Sequence, residues 1–313
     1  MTYTILLALA PIFFVMALGY AAGRYRVVEN HHVDGFNALV MDFALPASLF
    51  VGTASAPRGE MLAQAPLFAV LGAVMLVLYF SWTVFQRLFT KVGPADASVQ
   101  ALTIAFPNLA GVGLPIASAV IGPAGTMPVA VAIAAGSILV SPLTLIRAEL
   151  SSGGGTLTPR ARVLRAIRRA LTKPVVLAPA LGILFSLSGL GLDPVVDASL
   201  LLIGHAAAGV ALFLTGLILS AQAFELDWKI VRATILGDIV RPLLTAAVVF
   251  LLPVPLDIAK VAILLAAVPS GFFGILFAVN YRLDSATAGS MVIASTVFSI
   301  VPMAIAIALL YPH

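Results

Sequence analysis

Phe106-Pro107-Asn108-Leu109-Ala110-Gly111-Val112-Gly113-Leu114-Pro115 is an apolar stretch that cannot form an uninterrupted helix. Each proline lacks an amide donor and its ring clashes with the carbonyl one turn earlier. Gly111 and Gly113 weaken the helix further. A second such stretch, Pro269-Ser270-Gly271 followed by Gly274, lies in the C-terminal half. A helix break in hydrocarbon leaves polar backbone unsatisfied, and is tolerated only where protein or a water-filled cavity surrounds it. One break alone reads as an ordinary kink or packing site. Two breaks at matching places in two halves point instead to a transporter's substrate site.

The surroundings of both stretches are those of a membrane protein. Of 313 residues, 61% are hydrophobic and 10% charged, and the mean hydropathy is +1.12. A soluble domain carries about 25% charged residues, so lipid must cover the surface that water would otherwise meet. The absence of cysteine excludes disulfides, thiolate nucleophiles and Cys-ligated metals. Arg24 and Arg26 follow the first apolar run, the wrong order for a cleaved signal peptide, which predicts a retained first helix with its N-terminus outside.

A spanning helix needs about 20 apolar residues. On that measure ten spans are predicted, at residues 4–22, 35–54, 66–88, 98–121, 127–147, 174–192, 198–220, 229–251, 259–281 and 287–310. Asp42 and Pro46 interrupt the second. With the N-terminus outside, 14 of the 17 Lys and Arg residues fall in inside loops, Arg58 and Lys260 fall outside, and Arg241 lies within a span. This asymmetry predicts both termini outside and the 148–173 loop inside. It also accounts for the net charge of +4 without a nucleic-acid partner.

The 148–173 loop opens on Gly153, Gly154 and Gly155 and continues with Arg162, Arg165, Arg168 and Arg169 beside Val163, Leu164, Ile167 and Leu171. This is the pattern of a basic amphipathic helix on a membrane surface, a cytoplasmic anchor rather than a regulatory segment. The loop divides the chain into 1–147 and 174–313, five spans each. An odd number of spans makes the second set enter from the opposite face, so the halves form an inverted repeat. Leu9-Ala10-Pro11 echoes Leu177-Ala178-Pro179, Pro107-Asn108 echoes Pro269-Ser270, and Pro142 echoes Pro302, in the same order.

At these residues the sequence resembles the auxin efflux carrier family, which includes the plant PIN proteins and bacterial members labelled malonate transporters. The matches are Phe36-Asn37-Ala38-Leu39-Val40 through Ala44-Leu45-Pro46-Ala47-Ser48-Leu49-Phe50, Pro107-Asn108 through Gly111 to Pro115, Gly209-Val210-Ala211-Leu212-Phe213 with Gly216-Leu217, and Arg241-Pro242-Leu243. The resemblance implies a fold like that of the bile acid:sodium symporters. In it, spans 1, 2, 6 and 7 form a scaffold, spans 3–5 and 8–10 form a transport domain, and broken spans 4 and 9 cross near mid-membrane. It further implies organic-anion substrates and elevator-like movement. The short central loop, Phe106 where plant members place an Asn, and Ser270 in place of an amide all depart from the plant pattern. They leave the substrate open between malonate-like and auxin-like acids.

The expected substrate site is therefore Pro107, Asn108, Gly111, Pro269, Ser270 and Gly271, with Pro46 and Ser48 of span 2 as the scaffold wall. Half-helix N-termini carry partial positive charge and free amides suited to a carboxylate. Asn108 either donates to the anion from its amide or simply caps the second half of span 4. Phe106, Phe272 and Phe273 are available to line a pocket. Four ionisable residues, Asp42, His205, Asp238 and Arg241, lie inside predicted spans, where such groups face a partner or a cavity. Asp238 and Arg241 are three apart and read as one helical face, either a self-neutralising pair or a coupling support. Asp42 and His205 occupy similar places relative to Phe50 and Phe213 and are expected to face each other.

No metal site or cofactor is expected. Coupling to protons or to sodium is left open, as is a homodimer. The expected partners are a small organic anion and the bilayer of a bacterial inner membrane. A channel or membrane sensor is a rival that needs no paired breaks. An intramembrane hydrolase would need Ser270 with His205, and neither a GxSG nor a GxGD motif surrounds Ser270 or Asp238.

Overall fold

The computed structural model describes residues 2–29, 32–151, 158–221 and 227–311. Gly153, Gly154 and Gly155 lie outside these residues. Among the described residues every regular element is helical, and the one strand-like contact is a single antiparallel bridge between Pro107 and Ser270. Each predicted apolar stretch contains helix. Val33–Ala54, Ala65–Phe89, Met127–Ser151, Pro194–Ser220 and Trp228–Leu251 are long and apolar enough to cross a membrane, and the pair Ser285–Phe298 and Ile300–Leu310, bent by 45°, makes a sixth if counted as one span. Ala10–Arg24, Leu109–Ile121 and Pro174–Ser188 are shorter apolar helices.

Spans 4 and 9 are broken, as their Pro and Gly content predicts. The first halves are Pro94–Ala105 and Leu256–Ala266; the second halves begin at Leu109 and Phe273. Elsewhere proline acts differently. Span 2 runs as one helix from Val33 to Ala54 in spite of Asp42 and Pro46. Its turn Leu39–Ala44 widens so that the Leu45 amide donates to the Val40 carbonyl, five residues back. The same wide turn precedes Pro115, Pro142 and Pro242, where Leu114 donates to Leu109, Ser141 to Gly136, and Arg241 to Leu236. A proline has no N–H and crowds the carbonyl four residues earlier. Widening one turn takes up both defects without breaking the helix.

Helix packing relies on backbone approaching backbone over glycine. In lipid there is no hydrophobic force between helices, so close van der Waals contact must hold them. Thr2–Arg24 lies along Ala206–Ser220, with Gly19 against the Phe213 carbonyl and Gly216 against the Met16 carbonyl. Pro174–Ser188 lies along Leu45–Ala54 through Gly182, where an added Cβ would come within 2.8 Å of the Phe50 carbonyl oxygen and would overlap Thr53 Oγ1. The two broken spans meet over Gly274, where an added Cβ would sit 2.7 Å from the Val99 carbonyl oxygen and would overlap Thr103 Oγ1.

The loop segment Pro159–Leu171 is helical and packs on Ser141–Ser151. It exposes Arg160, Arg165 and Arg168 together with Val163 and Leu164.

One prediction concerns the contact between the broken spans. Gly274→Leu should lower the melting temperature in detergent by an overpacking cost of about 1–3 kcal/mol or more. Gly209→Leu, where an added Cβ has nothing within 4 Å, is the control and should melt like the unmodified protein. Equal melting of the two variants would contradict this contact.

Candidate functional site at the helix crossing

The two breaks meet in the protein interior and hydrogen-bond to each other. The Asn108 amide donates to the Pro269 carbonyl at 2.8 Å, and the Gly271 amide donates to the Thr103 carbonyl at 3.0 Å. Gly271 is required here by space, because an added Cβ would overlap the Phe106 carbonyl oxygen. Asn108 begins the second half of span 4: its carbonyl accepts from Val112 and Gly113, and its Oδ1 accepts from the Gly111 amide at 3.0 Å. The helix-cap role is thus realised. It uses Oδ1 alone and leaves Nδ2 without a protein acceptor among the described residues. Asn108 and Ser270 are 4% and 1% exposed, so both residues of the crossing are buried.

Arg241 holds the other two ends. It is 1% exposed, and its guanidinium donates to the carbonyls of Ala266 (2.9 Å), Ile104 and Val268. Ile104 lies at the end of the first half of span 4; Ala266 and Val268 lie at the end of the first half of span 9. Helix C-termini carry unsatisfied carbonyls and partial negative charge. One planar guanidinium with several donors serves both ends. The cation therefore sits on the C-terminal ends, while the N-terminal ends beginning at Leu109 and Phe273 face the crossing without one.

Asp238 does not pair with Arg241. Among the described residues no ion pair within 4 Å joins them; Asp238 instead accepts from Ser295 Oγ at 2.6 Å, and Ser295 Oγ accepts from the Ser270 amide at 2.7 Å. Residues three apart sit about 60° apart around an α-helix. Asp238 lies within the wide turn Leu236–Val240 and Arg241 directly follows it, so the turn opens that angle and sends the two side chains to different partners. Asp238 is fully buried, and its Oδ2 has no hydrogen-bond partner among the described residues.

The remaining residues singled out in the sequence lie elsewhere. Pro46 lines an open apolar groove with Phe50, Leu177 and Leu181, and the Ser48 backbone lies against Gly204. Both belong to the packing of span 2 on spans 6 and 7. The residue of Ala206–Ser220 that packs against the break is Leu212, which an added Cβ on Gly111 would meet at 3.0 Å. Asp42 and His205 are exposed, and no hydrogen bond or ion pair joins them. Phe106, Phe272 and Phe273 are buried and stack on one another, with centroids 4.7 and 5.2 Å apart, so they fill the crossing rather than line an open pocket. Ser295 and Thr103 carry no proline or glycine signal, and nothing in the sequence points to them.

A polar cavity of about 360 Å³ lies between spans 2, 5 and 9 and the start of span 6. Asp34, Asn37, Asp42, Lys173, Asn280 and Tyr281 line it. Phe277 also lines it and packs edge-on against Phe273, which connects it to the crossing. Asn37 Nδ2 donates to Asn280 Oδ1 at 3.2 Å across it.

The chain belongs to the membrane transport protein family, whose model matches residues 4–307. It is 31% identical over 282 residues to the "Uncharacterized transporter YfdV" of Escherichia coli (strain K12), covering 89% of each chain. The same identity and coverage hold for the YfdV protein of Shigella flexneri. An "Uncharacterized transporter" of Methanothermobacter thermautotrophicus is 23% identical over 297 residues, covering 93% of this chain and 94% of that one. These similarities bear out the resemblance to auxin efflux carriers. With the apolar helices, they make the chain a multi-pass membrane protein of a transporter family.

The carbonyl cage of Arg241 yields a second prediction. Arg241→Met should cost about 3–5 kcal/mol, the scale for stranding buried charge partners, read as loss of monodisperse protein and a lower melting temperature. Asp238→Asn should not rescue it, because the three carbonyls stay unmatched. Recovery of stability in the double variant would mark a simple ion pair instead.

Proposed function

We propose that the protein is a secondary transporter, not an enzyme, for small organic anions, a mono- or dicarboxylate such as malonate or an auxin-like acid. The observation that carries this reading is the pair of broken helices meeting at Pro107 and Ser270 with their C-terminal ends capped by Arg241. Their N-terminal ends are left for a negative charge, which amide donors and helix dipoles favour. Asn108 Nδ2 adds a neutral donor at the same place. A neutral donor suits a substrate that must be released as well as bound.

In this account the ten helical stretches are ten spans in two inverted five-span repeats. Spans 1, 2, 6 and 7 form the scaffold, and spans 3–5 and 8–10 move against it as an elevator. The pairing of span 1 with 7 and of span 2 with 6 over glycine supports that division. Both termini lie outside a bacterial inner membrane and the 148–173 loop inside. The polar cavity is the cytoplasmic approach to the crossing, and the hydrogen bond between Asn37 and Asn280 ties scaffold to transport domain across it.

Two measurements test this reading in proteoliposomes. Asn108→Asp keeps an acceptor for the Gly111 amide but adds a negative charge, so it should fold normally and lose uptake of labelled malonate and indole-3-acetate tenfold or more. Unchanged uptake would remove Asn108 from the site. The chain is free of cysteine, so Asn37→Cys/Asn280→Cys gives a unique pair. Cross-linking that pair should stop uptake and reduction should restore it, whereas full uptake by the cross-linked protein would contradict sliding at this interface.

A further inference from the structure

We propose that Asp238 is the proton-coupling site of this transporter, a proton on its Oδ2 and an organic anion at the adjacent crossing binding together. The inference rests on the transport reading above and names the coupling ion and its residue.

The hydrogen-bond directions single out Oδ2. Ser295 has one hydroxyl proton, and it is given to Asp238 Oδ1 at 2.6 Å. The Ser295 oxygen accepts from the Ser270 amide at 2.7 Å, so the carboxyl group is tied to the crossing through one side chain. Asp238 Oδ2 is buried and makes no hydrogen bond among the described residues. A buried polar atom without a partner calls for an explanation. A proton placed there changes the charge by one unit while both hydrogen bonds of the chain stay in place.

Among the described residues, Arg241 is the one charged group whose charge acts on Asp238. Pro94–Ala105 carries a single ionisable residue, Asp96, which sits in its first turn and accepts from the Asp284 amide. Ser285–Phe298 carries none and contributes Ser295. Trp228–Ile235 carries Lys229 and Arg232, which engage Thr287 and the Phe85 ring. The continuation Arg241–Leu251 has no ionisable residue beyond Arg241.

Charge balance then links proton and substrate. With Asp238 ionised, its charge offsets that of Arg241 and the crossing is neutral. With Asp238 protonated, the Arg241 charge is uncompensated and favours an anion nearby. Linkage makes the effect mutual: an anion raises the proton affinity by the factor by which the proton raises the anion affinity. One proton taken up per anion corresponds to about a tenfold gain in affinity per unit fall in pH, over the range where Asp238 is ionised in the free protein.

The test uses the full-length protein in detergent. Infrared titration of the ligand-free protein should show a protonated-carboxyl stretch that grows on acidification. The stretch should be missing from Asp238→Asn and shifted in Ser295→Ala, which removes its hydrogen-bond partner. Isothermal titration with malonate at neutral and alkaline pH, where the probe stays ionised, should show proton uptake in buffers of different ionisation heat. In Asp238→Asn that uptake should vanish and malonate affinity should no longer depend on pH. The same infrared band in Asp238→Asn, or undiminished proton uptake by it, would overturn the proposal. If Asp238→Asn fails to fold, an unshifted band in Ser295→Ala overturns it. A wild-type protein that binds no malonate contradicts the substrate reading alone, and the infrared result still decides the proton site.

Discussion

Arg241 is a fully buried guanidinium whose three backbone acceptors lie at the ends of two interrupted helices. Without it, two helix C-termini would end in the protein interior with unsatisfied carbonyls and like partial charges side by side. With it, both ends are matched at one point, and the chain can stop two helices in the middle of the structure. The bridge between Pro107 and Ser270, the close approach of Gly271 to Phe106 and the stacked rings of Phe106, Phe272 and Phe273 are all built around that junction. The separation of charge follows too: the cation serves the C-terminal ends, and the N-terminal ends beginning at Leu109 and Phe273 have no cation of their own.

Proline shapes the rest of the framework in two ways. Pro46, Pro115, Pro142 and Pro242 are each preceded by one widened turn, and the helix continues through them. Pro107 and Pro269 end a helix, because each break finds hydrogen-bond partners on the other. A missing amide donor is therefore a local matter unless another broken segment supplies a substitute. The widened turn before Pro242 has a further consequence. It turns Asp238 toward Ser295 and leaves Arg241 for the carbonyls, so two opposite charges three residues apart serve different parts of the site.

Much of this was legible in the sequence. The apolar stretches, the two breaks, the place of Asn108 and the depth of Asp238 and Arg241 all follow from hydropathy and from the chemistry of Pro, Gly and buried charge. What was not legible depended on which way side chains turn. Residues three apart on a regular helix share a face, and nothing in Leu236-Gly237-Asp238-Ile239-Val240 announces a wider turn except the proline that follows it. The motif around Pro46 and Ser48 points to the site; in the structure Pro46 lines the groove beside Leu177 and Leu181, and the Ser48 backbone lies against Gly204. Asp42 and His205 share a motif position without sharing a contact. Ser295 reaches the crossing from span 10, and only tertiary structure brings a lone serine to a carboxylate.

Binding of an organic anion where the two broken helices cross can be seen by electron cryomicroscopy of the purified protein with saturating malonate. Ligand density should appear at the crossing, with a carboxylate against Asn108 Nδ2 and the helix N-termini that begin at Leu109 and Phe273. Density confined to the cavity between Asp34 and Lys173, with the crossing still closed around Ser270, would contradict it.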